Sequence, residues 1–230
     1  MGLALEVGIL VDQKKNDAEG FEMFKAQFDD VNKLLAAEGL PRHDEPEDCE
    51  IWSGEMIGYS GLHYLRRIAA HIDAGRRLPG PGDGKSSEDE LLEAYFGDVM
   101  KATPGFLGSL LGKKTFARQF DHLIVHSDAE GFYLPLEFEN VLFSPAGLEI
   151  PGGMVGSAPQ LLSECERLAK LLEIPADITL LSEELWEASD HSQGEGDTVW
   201  EQYGVESFSC VALMEGCRQT LKTGAALVFT

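Results

Sequence analysis

Residues 120–143 read FDHLIVHSDAEGFYLPLEFENVLF, and we expect this stretch to decide the fold. Apolar residues predominate in 120–126 and 132–143, and the small and polar residues typical of a tight turn lie between them, at 127–131. We therefore predict a central hairpin over about 120–143. Pro135 lies inside the second run, which indicates a strand at the sheet edge or a bulge.

Helical periodicity surrounds this hairpin on both sides. The predicted helices span 17–37, 60–74, 87–102, 157–172, 182–188 and 205–221. The stretches 3–11 and 225–229 are typical of strands, whereas 51–59 suits either a short strand or a loop. Because strands and helices do not alternate regularly, the pattern predicts an α+β fold: an antiparallel or mixed sheet with a central hairpin, packed by several amphipathic helices.

The chain length suits one domain. A chain of 230 residues, 43% of them hydrophobic, can bury a sizeable core without disulfides or metals. We predict a single α+β domain over 1–230. The clearest interruption is the Pro- and Gly-rich stretch 78–86, LPGPGDGKS, which we interpret as a flexible linker or loop.

The sequence has no features of export or of cofactor binding. Its four cysteines form no CxxC pair, which favours free thiols in a reducing compartment. The apolar runs are too short to cross a bilayer, and the N-terminus does not resemble a signal peptide. Neither a Walker A nor a Rossmann glycine motif occurs. We expect a cytoplasmic protein with no membrane contact and no cofactor.

The charge is strongly negative and unevenly distributed. Lys and Arg total 18 and Asp and Glu total 40, giving a net charge of −22. We therefore expect no binding to nucleic acid, because phosphates require a basic surface. No Lys or Arg occurs between 171 and 217, where eleven acids lie, and a second acidic run occupies 44–50. Arginines gather instead at 66–67 and 76–77. The acidity indicates either solubility alone or a face that meets a basic protein partner.

Three blocks of the sequence contain candidate site residues. The first is the turn with His126, Asp128 and Glu130. His126 and Asp128 are candidate metal ligands, since imidazole and carboxylate suit divalent ions. As a candidate catalytic group, His126 could instead act as a general base held by Asp128, with Glu130 nearby. The alternative interpretation is that Ser127, Asp128 and their neighbours only satisfy the geometry of a turn.

The second block is 59–71. Here His63 and Arg67 lie at helical i, i+4 spacing, and Tyr59 precedes them at the start of the predicted helix. Because a helix N-terminus favours anions, we predict that Tyr59, His63 and Arg67 bind an anionic ligand. The alternative is a solvated face with a long arginine covering apolar surface.

The third block is the glycine-rich stretch 150–159, which runs into a helix with Ser157 as the predicted N-cap. Backbone N–H groups around Gly153, Gly156 and Ser157 are candidates for holding a phosphate or carboxylate. A plain loop followed by a well-capped helix explains the same residues.

Together the three blocks resemble a known but uncharacterised, mainly bacterial protein family. They are YSGLHYLR at 59–66, HSDAEGFYLP at 126–135 and GGMVGS at 152–157, in this order. The resemblance implies no established activity. It implies only that the three blocks meet in one place.

Two functions remain open from the sequence. The first is an acidic binding protein that neutralises a basic protein partner, similar in charge and size to the immunity proteins of bacterial toxins. The alternative is a small-molecule or metal-binding, enzyme-like site made by His126, Asp128 and Glu130 with His63, Arg67 and the loop before Ser157. A scaffold role in a larger assembly is compatible with both the charge and the length.

Overall fold

The computed structural model describes residues 3–102 and 117–229. Within this part of the chain one sheet contains six strands, in the order β2-β1-β6-β3-β5-β4. The strands are β1 Leu3–Val7, β2 Trp52–Met56, β3 Gly131–Leu134, β4 Leu142–Phe143, β5 Met154–Ser157 and β6 Leu227–Phe229. β3 and β5 are parallel and the other neighbouring strands are antiparallel. The predicted α+β class with a mixed sheet is confirmed.

Helices pack on both faces of this sheet. They are α1 Ile9–Asn16, α2 Ala18–Ala37, α3 Gly58–Asp73, α4 Glu90–Ala102, α5 Asp121–Ile124, α6 Ala158–Leu171, α7 Glu183–Asp190, α8 Val199–Gln202 and α9 Gly204–Thr223. α1 and α2 cover one face, and α9 lies on the other with α3, α6 and α7 around it. None of the helices in the described ranges is both long and apolar enough to cross a membrane.

The alternation of strand residues divides the core between the two faces. In β6, Leu227 and Phe229 join the cluster under α9, whereas Val228 joins the cluster under α2. In β3, Tyr133 faces α9 and Phe132 faces α2. Successive side chains of a strand point to opposite faces, and apolar residues on both faces therefore require helices on both.

The predicted hairpin over 120–143 does not form. Its second strand is interrupted, because β3 ends at Leu134 and β4 begins only at Leu142, and β5 lies between them in the sheet. Residues of 120–126 form the short helix α5 instead of a strand. The carboxylate of Glu164, on α6, accepts hydrogen bonds from the backbone N–H groups of His122 (3.1 Å) and Leu123 (2.7 Å) at the start of α5. Both edges of β3 are also occupied, by β5 and β6, so no edge remains for a hairpin partner.

The boundaries of several other helices and strands differ from the predicted ones. The strand predicted for 3–11 ends at Val7, because Gly8 adopts φ +89° and begins the turn into α1. The predicted loop before Ser157 contains β5. α3 begins at Gly58, two residues before the predicted start. α4 begins at Glu90 instead of 87, and Asp89 accepts hydrogen bonds from the backbone N–H groups of Leu91 and Leu92 in its first turn.

The Pro- and Gly-rich stretch 78–86 is a loop held against two helices. Gly82 N donates to Glu206 Oε1 (2.7 Å), Tyr203 Oη donates to Pro79 O (2.5 Å), and Arg67 Nη1 donates to Gly80 O (2.8 Å). These bonds hold the loop against α9 and α3. The loop then leads from the end of α3 to α4.

Candidate functional site

The three sequence blocks meet around Ser127. Arg66 donates from Nη2 to His126 O (2.6 Å) and Ser127 O (3.2 Å), and from Nε to Leu123 O (2.7 Å). Gly152 packs so closely against Ser127 and the carbonyl of Glu130 that a Cβ at this position would clash with both. The middle of α3, the turn after α5 and the glycine-rich stretch therefore share one place.

His126 is a core residue at this junction. Its ring stacks on Tyr133 with centroids 4.0 Å apart, and Nδ1 and Nε2 lie 3.2 and 3.1 Å from the carbonyl oxygens of Ser127 and Phe132. Burial lowers the pKa of His126 to about 3, so the ring is neutral near pH 7 and donates one N–H. Both ring nitrogens face backbone oxygens inside the core, so neither is open to an incoming metal ion.

His63 and Asp128 form the polar wall of a cavity of about 360 Å³. His63 Nε2 lies 3.2 Å from Asp128 Oδ2, while His63 Nδ1 is buried and has no partner among the described residues. Burial lowers the pKa of His63, and the positive charge of Arg66 lowers it further. Arg66 also lines the cavity, whereas Glu130 is exposed at the tip of the turn.

Arg67 does not join this junction. It pairs with Asp89 (Nε to Oδ2, 3.1 Å), and His71 Nε2 lies 3.0 Å from the same oxygen. The sequence predicts that Arg67 lies close to His126 and Asp128. The neighbouring residue, Arg66, lies there instead. The side chain of Tyr59 lies outside the described part of the structure.

The sequence contains a signal that distinguishes Arg66 from Arg67. Arg66 follows Leu62 by four residues and precedes Ala69 by three, which places it on the apolar stripe of α3. It is 2% exposed. A basic residue at a core position of an amphipathic helix indicates a buried role, whereas Arg67 lies on the polar face.

Two backbone N–H groups of the glycine-rich stretch already have hydrogen-bond partners within the protein. Gly153 N donates to Ile150 O (2.9 Å), and Ser157 N donates to His122 Nδ1 (3.0 Å). Gly156 lies against the ring of Tyr133. Ser157 is the N-cap of α6, as predicted, because its Oγ accepts from Gln160 N (3.4 Å).

No group of three or more His, Cys, Asp or Glu in the described ranges is placed to hold a metal ion. His126, Gly156 and Ser157 each have a structural role in this arrangement. Their roles in catalysis, ligand binding or metal binding stay predictions, as do those of Asp128, Glu130, His63 and Gly153.

The acidic run 44–50 is largely neutralised by neighbouring cations. Its ion pairs, by N···O distance, are Glu47 with Lys14 (2.9 Å) and Lys25 (3.4 Å), Asp44 with Arg42 (2.6 Å), Glu50 with Lys222 (2.7 Å), and Glu45 with His43 (2.7 Å) if His43 is protonated. Glu45 also accepts from Ala226 N (2.8 Å) at the start of β6. This run therefore joins parts of the fold and offers little free negative charge.

The acids after residue 171 are different. Eight of them are exposed, and within 3–102 and 117–229 none forms an ion pair with a Lys, Arg or His. We call these eight residues the acidic segment; they are Glu173, Asp177, Glu183, Glu184, Glu187, Asp190, Glu195 and Asp197.

The remaining three acids of this region have structural roles. Glu206 accepts from Gly82 N, Glu215 accepts from Leu180 N (2.8 Å), and Glu201 forms the capping box of α8 with Thr198. Their carboxylates are used inside the fold and do not belong to the acidic segment.

α7 carries half of the acidic segment. Glu183, Glu187 and Asp190 follow one another at i, i+4 and i+7, and Glu184 lies beside Glu187. The opposite side of α7 packs against α9 through Leu185 and Ala188. Burial of one side fixes the helix, and the carboxylates on the other side point to solvent.

Comparison with known proteins gives one match. Neither the curated proteins nor the solved structures contain a match to the chain. A family model described as "Putative DNA-mimic protein" matches residues 1–229. Since the match covers nearly the whole sequence, the chain belongs to this family.

Proposed function

We propose that this protein is a DNA mimic that occupies the DNA-binding surface of a basic protein, and that the acidic segment is the surface it presents. The family description names DNA mimicry, and the net charge of −22 gives the chain the sign of DNA. A partner that binds DNA must have a basic surface, because neutralising phosphates dominates that binding. The basic partner expected from composition is thereby narrowed to a DNA-binding protein.

The observation that carries the proposal is the absence of ion pairs in the acidic segment within the described residues. A carboxylate that already pairs with Lys or Arg must exchange that partner before it binds another. A hydrated, unpaired carboxylate is free to bind incoming Lys or Arg, and eight of them along 173–197 produce a strong local field.

The charge density along α7 supports mimicry of one DNA strand. Four carboxylates occur between Glu183 and Asp190. At 1.5 Å rise per residue this is a charge about every 3.5 Å along the helix axis, close to the roughly 3.4 Å per phosphate of a DNA strand. The mean density of negative charge along the axis of α7 is therefore similar to that of one DNA strand.

Competition with DNA tests the proposal. Proteins from the cells that encode the chain are loaded on double-stranded DNA-cellulose at about 0.15 M NaCl, where exposed charges are screened beyond about 8 Å. The purified protein is then added in increasing amounts. We expect it to release a discrete set of bound proteins, and its direct binding to these proteins should weaken steeply with added salt.

Poly-glutamate of matched total charge is the control for this experiment. A polyanion with no defined geometry should release the bound proteins broadly, or only at much higher charge concentration. If the protein releases nothing that poly-glutamate does not release equally well, charge alone explains its behaviour and the proposal is contradicted.

A second candidate is the small-molecule site, favoured by one observation: the buried, unpartnered Nδ1 of His63 beside the cavity that Asp128 lines. Thermal unfolding with inorganic phosphate or Zn²⁺ tests it. Stabilisation of the protein that is lost in Asp128→Ala supports a site. No shift in the melting temperature with either probe contradicts binding of these two ligands there.

A further inference from the structure

The acidic segment surrounds the most exposed large apolar side chain of the described residues. Leu181 is 95% exposed, whereas the other exposed large hydrophobic residues lie between 38 and 50%. Trp186, at 47%, is one of them and lies on α7. Both residues fall between Asp177 and Glu187, so apolar surface and unpaired carboxylates share one part of the chain.

The exposure of Leu181 is built into a hydrogen-bonded turn. Ser182 N donates to Thr179 O (2.9 Å), Thr179 N donates to Ser182 Oγ (2.9 Å), and Leu181 N donates to Thr179 Oγ1 (3.2 Å). The preceding residue, Leu180, packs against the core, and its N–H is bound by Glu215. The turn is thus anchored on one side and directs Leu181 outward.

Trp186 is fixed beside this turn. Its indole Nε1 donates to Leu180 O (2.8 Å), and its ring contacts Phe208 of α9 edge to face, with centroids 4.5 Å apart. One part of the ring is therefore packed and the rest is exposed. Rigid aromatic and aliphatic groups in a polar surround are typical of the residues that contribute most to protein–protein binding.

We infer that Leu181 and Trp186 are the apolar anchor of the partner-binding surface. The occupant is a basic protein that places an apolar side chain or recess among the lysines and arginines that meet Glu183, Glu184 and Glu187. Charge complementarity determines the class of occupant, and the inference rests on the proposed function. We call Leu181 and Trp186 together the apolar anchor.

The apolar anchor supplies what charge alone does not. Pairing of exposed charges weakens as salt is added, whereas burial of a leucine and an indole is little affected. Trp186, whose indole is already fixed, also loses little conformational freedom on binding. The anchor therefore selects, among proteins that bind DNA, those with a complementary apolar feature.

Leu181→Ser tests the apolar anchor, with Met23→Ser as the matched control. Met23 is 50% exposed and lies on α2, across the sheet from α7. In the DNA-cellulose release assay, we expect Leu181→Ser to raise the half-maximal amount roughly ten- to a hundredfold, as the loss of a leucine side chain that is buried on binding implies. Met23→Ser should match the unmodified protein.

The assay separates the two levels of the proposal. If the unmodified protein releases a discrete set of proteins and Leu181→Ser does so equally well, the apolar anchor is wrong and the proposed function stands. If the unmodified protein does no better than poly-glutamate, the proposed function fails, and the anchor with it. Circular dichroism checks the fold of both variants, and we expect both to fold because Leu181 is 95% exposed and Met23 is 50% exposed.

Discussion

Arg66 brings a guanidinium into the interior without a carboxylate partner in the described residues, and it binds three backbone carbonyls instead. These carbonyls belong to the end of α5 and the turn after it, so one side chain of α3 fixes the junction of the three sequence blocks. The guanidinium suits this position because its N–H donors form a rigid, planar fork.

Replacing Arg66 by Met should lower the free energy of unfolding by about 2–4 kcal/mol, because three buried carbonyl groups lose their donor. Urea denaturation measures the loss. Arg67→Met is the control, and we expect it to cost less than half as much, since Arg67 and Asp89 are nearer to solvent. Equal losses in the two variants would contradict the structural role assigned to Arg66.

Glu164 makes stability depend on pH. Burial raises the pKa of Glu164 to about 8 from its ordinary value of 4.5, although two backbone N–H groups bind the carboxylate. The folded state therefore holds its proton more tightly than the unfolded state. This contribution is complete below about pH 4.5 and is lost as the pH rises towards 8.

Glu164→Gln isolates this effect. We expect the difference in unfolding free energy between the variant and the unmodified protein to shift in favour of the variant by roughly 2 kcal/mol or more from about pH 5 to pH 8, since one pKa unit is worth about 1.4 kcal/mol. Urea denaturation at several pH values measures the shift. A difference independent of pH would show that Glu164 ionises normally in the folded protein.

Some residues of the junction were predictable from the sequence and some were not. Ser157 was identified as an N-cap because a small hydroxyl residue precedes an amphipathic run. The sequence singles out His126 but does not indicate its burial, because that burial depends on Tyr133 and on Gly131 and Gly156, which are far apart in the sequence.

At the scale of elements, the helical state of α5 could not be predicted from the local sequence pattern. The apolar run over 120–126 suits a strand, and its helical state depends on Glu164, about forty residues later, which binds the first N–H groups of the helix. The sequence predicts α2 and α9 nearly to their ends, because the apolar periodicity of a long helix repeats over many turns. The short β5 was missed, because its four residues follow a glycine-rich run.

The parallel pair β3 and β5 depends on Gly156. A Cβ at this position would overlap the ring of Tyr133 on the neighbouring strand. We expect Gly156→Ala to lower the melting temperature, with a loss of about 1–3 kcal/mol from overpacking. Gly97→Ala is the control, because nothing lies within 4 Å of its added Cβ and α4 gains a better helix former.

Thermal unfolding compares the two alanine variants. Gly97→Ala should melt at or above the temperature of the unmodified protein. If Gly156→Ala melts no lower than Gly97→Ala, the close packing of β5 on Tyr133 does not constrain the sheet as described.

At the scale of the molecule, the two acidic regions differ in their partners. The sequence predicts both regions, and composition alone gives the sign of the charge. It does not show which region is already paired, because Lys14, Lys25 and Lys222 reach the run 44–50 from α1, α2 and α9. No cation in the described residues forms an ion pair with the acidic segment. The distinction between internal and available charge therefore comes from the fold.

Two variants with the same change in net charge test this distinction most directly. One is Glu183→Gln with Glu184→Gln and Glu187→Gln, on α7. The other is Asp44→Asn with Glu47→Gln and Glu50→Gln, in the paired run. Each removes three negative charges, and the release of proteins from DNA-cellulose measures their effect. We predict that the α7 variant needs at least tenfold more protein for half-maximal release, because each lost charge contact is worth roughly 0.5–1 kcal/mol, and that the paired-run variant behaves like the unmodified protein. Equal weakening by the two variants would contradict the claim that the acidic segment is the surface that mimics DNA.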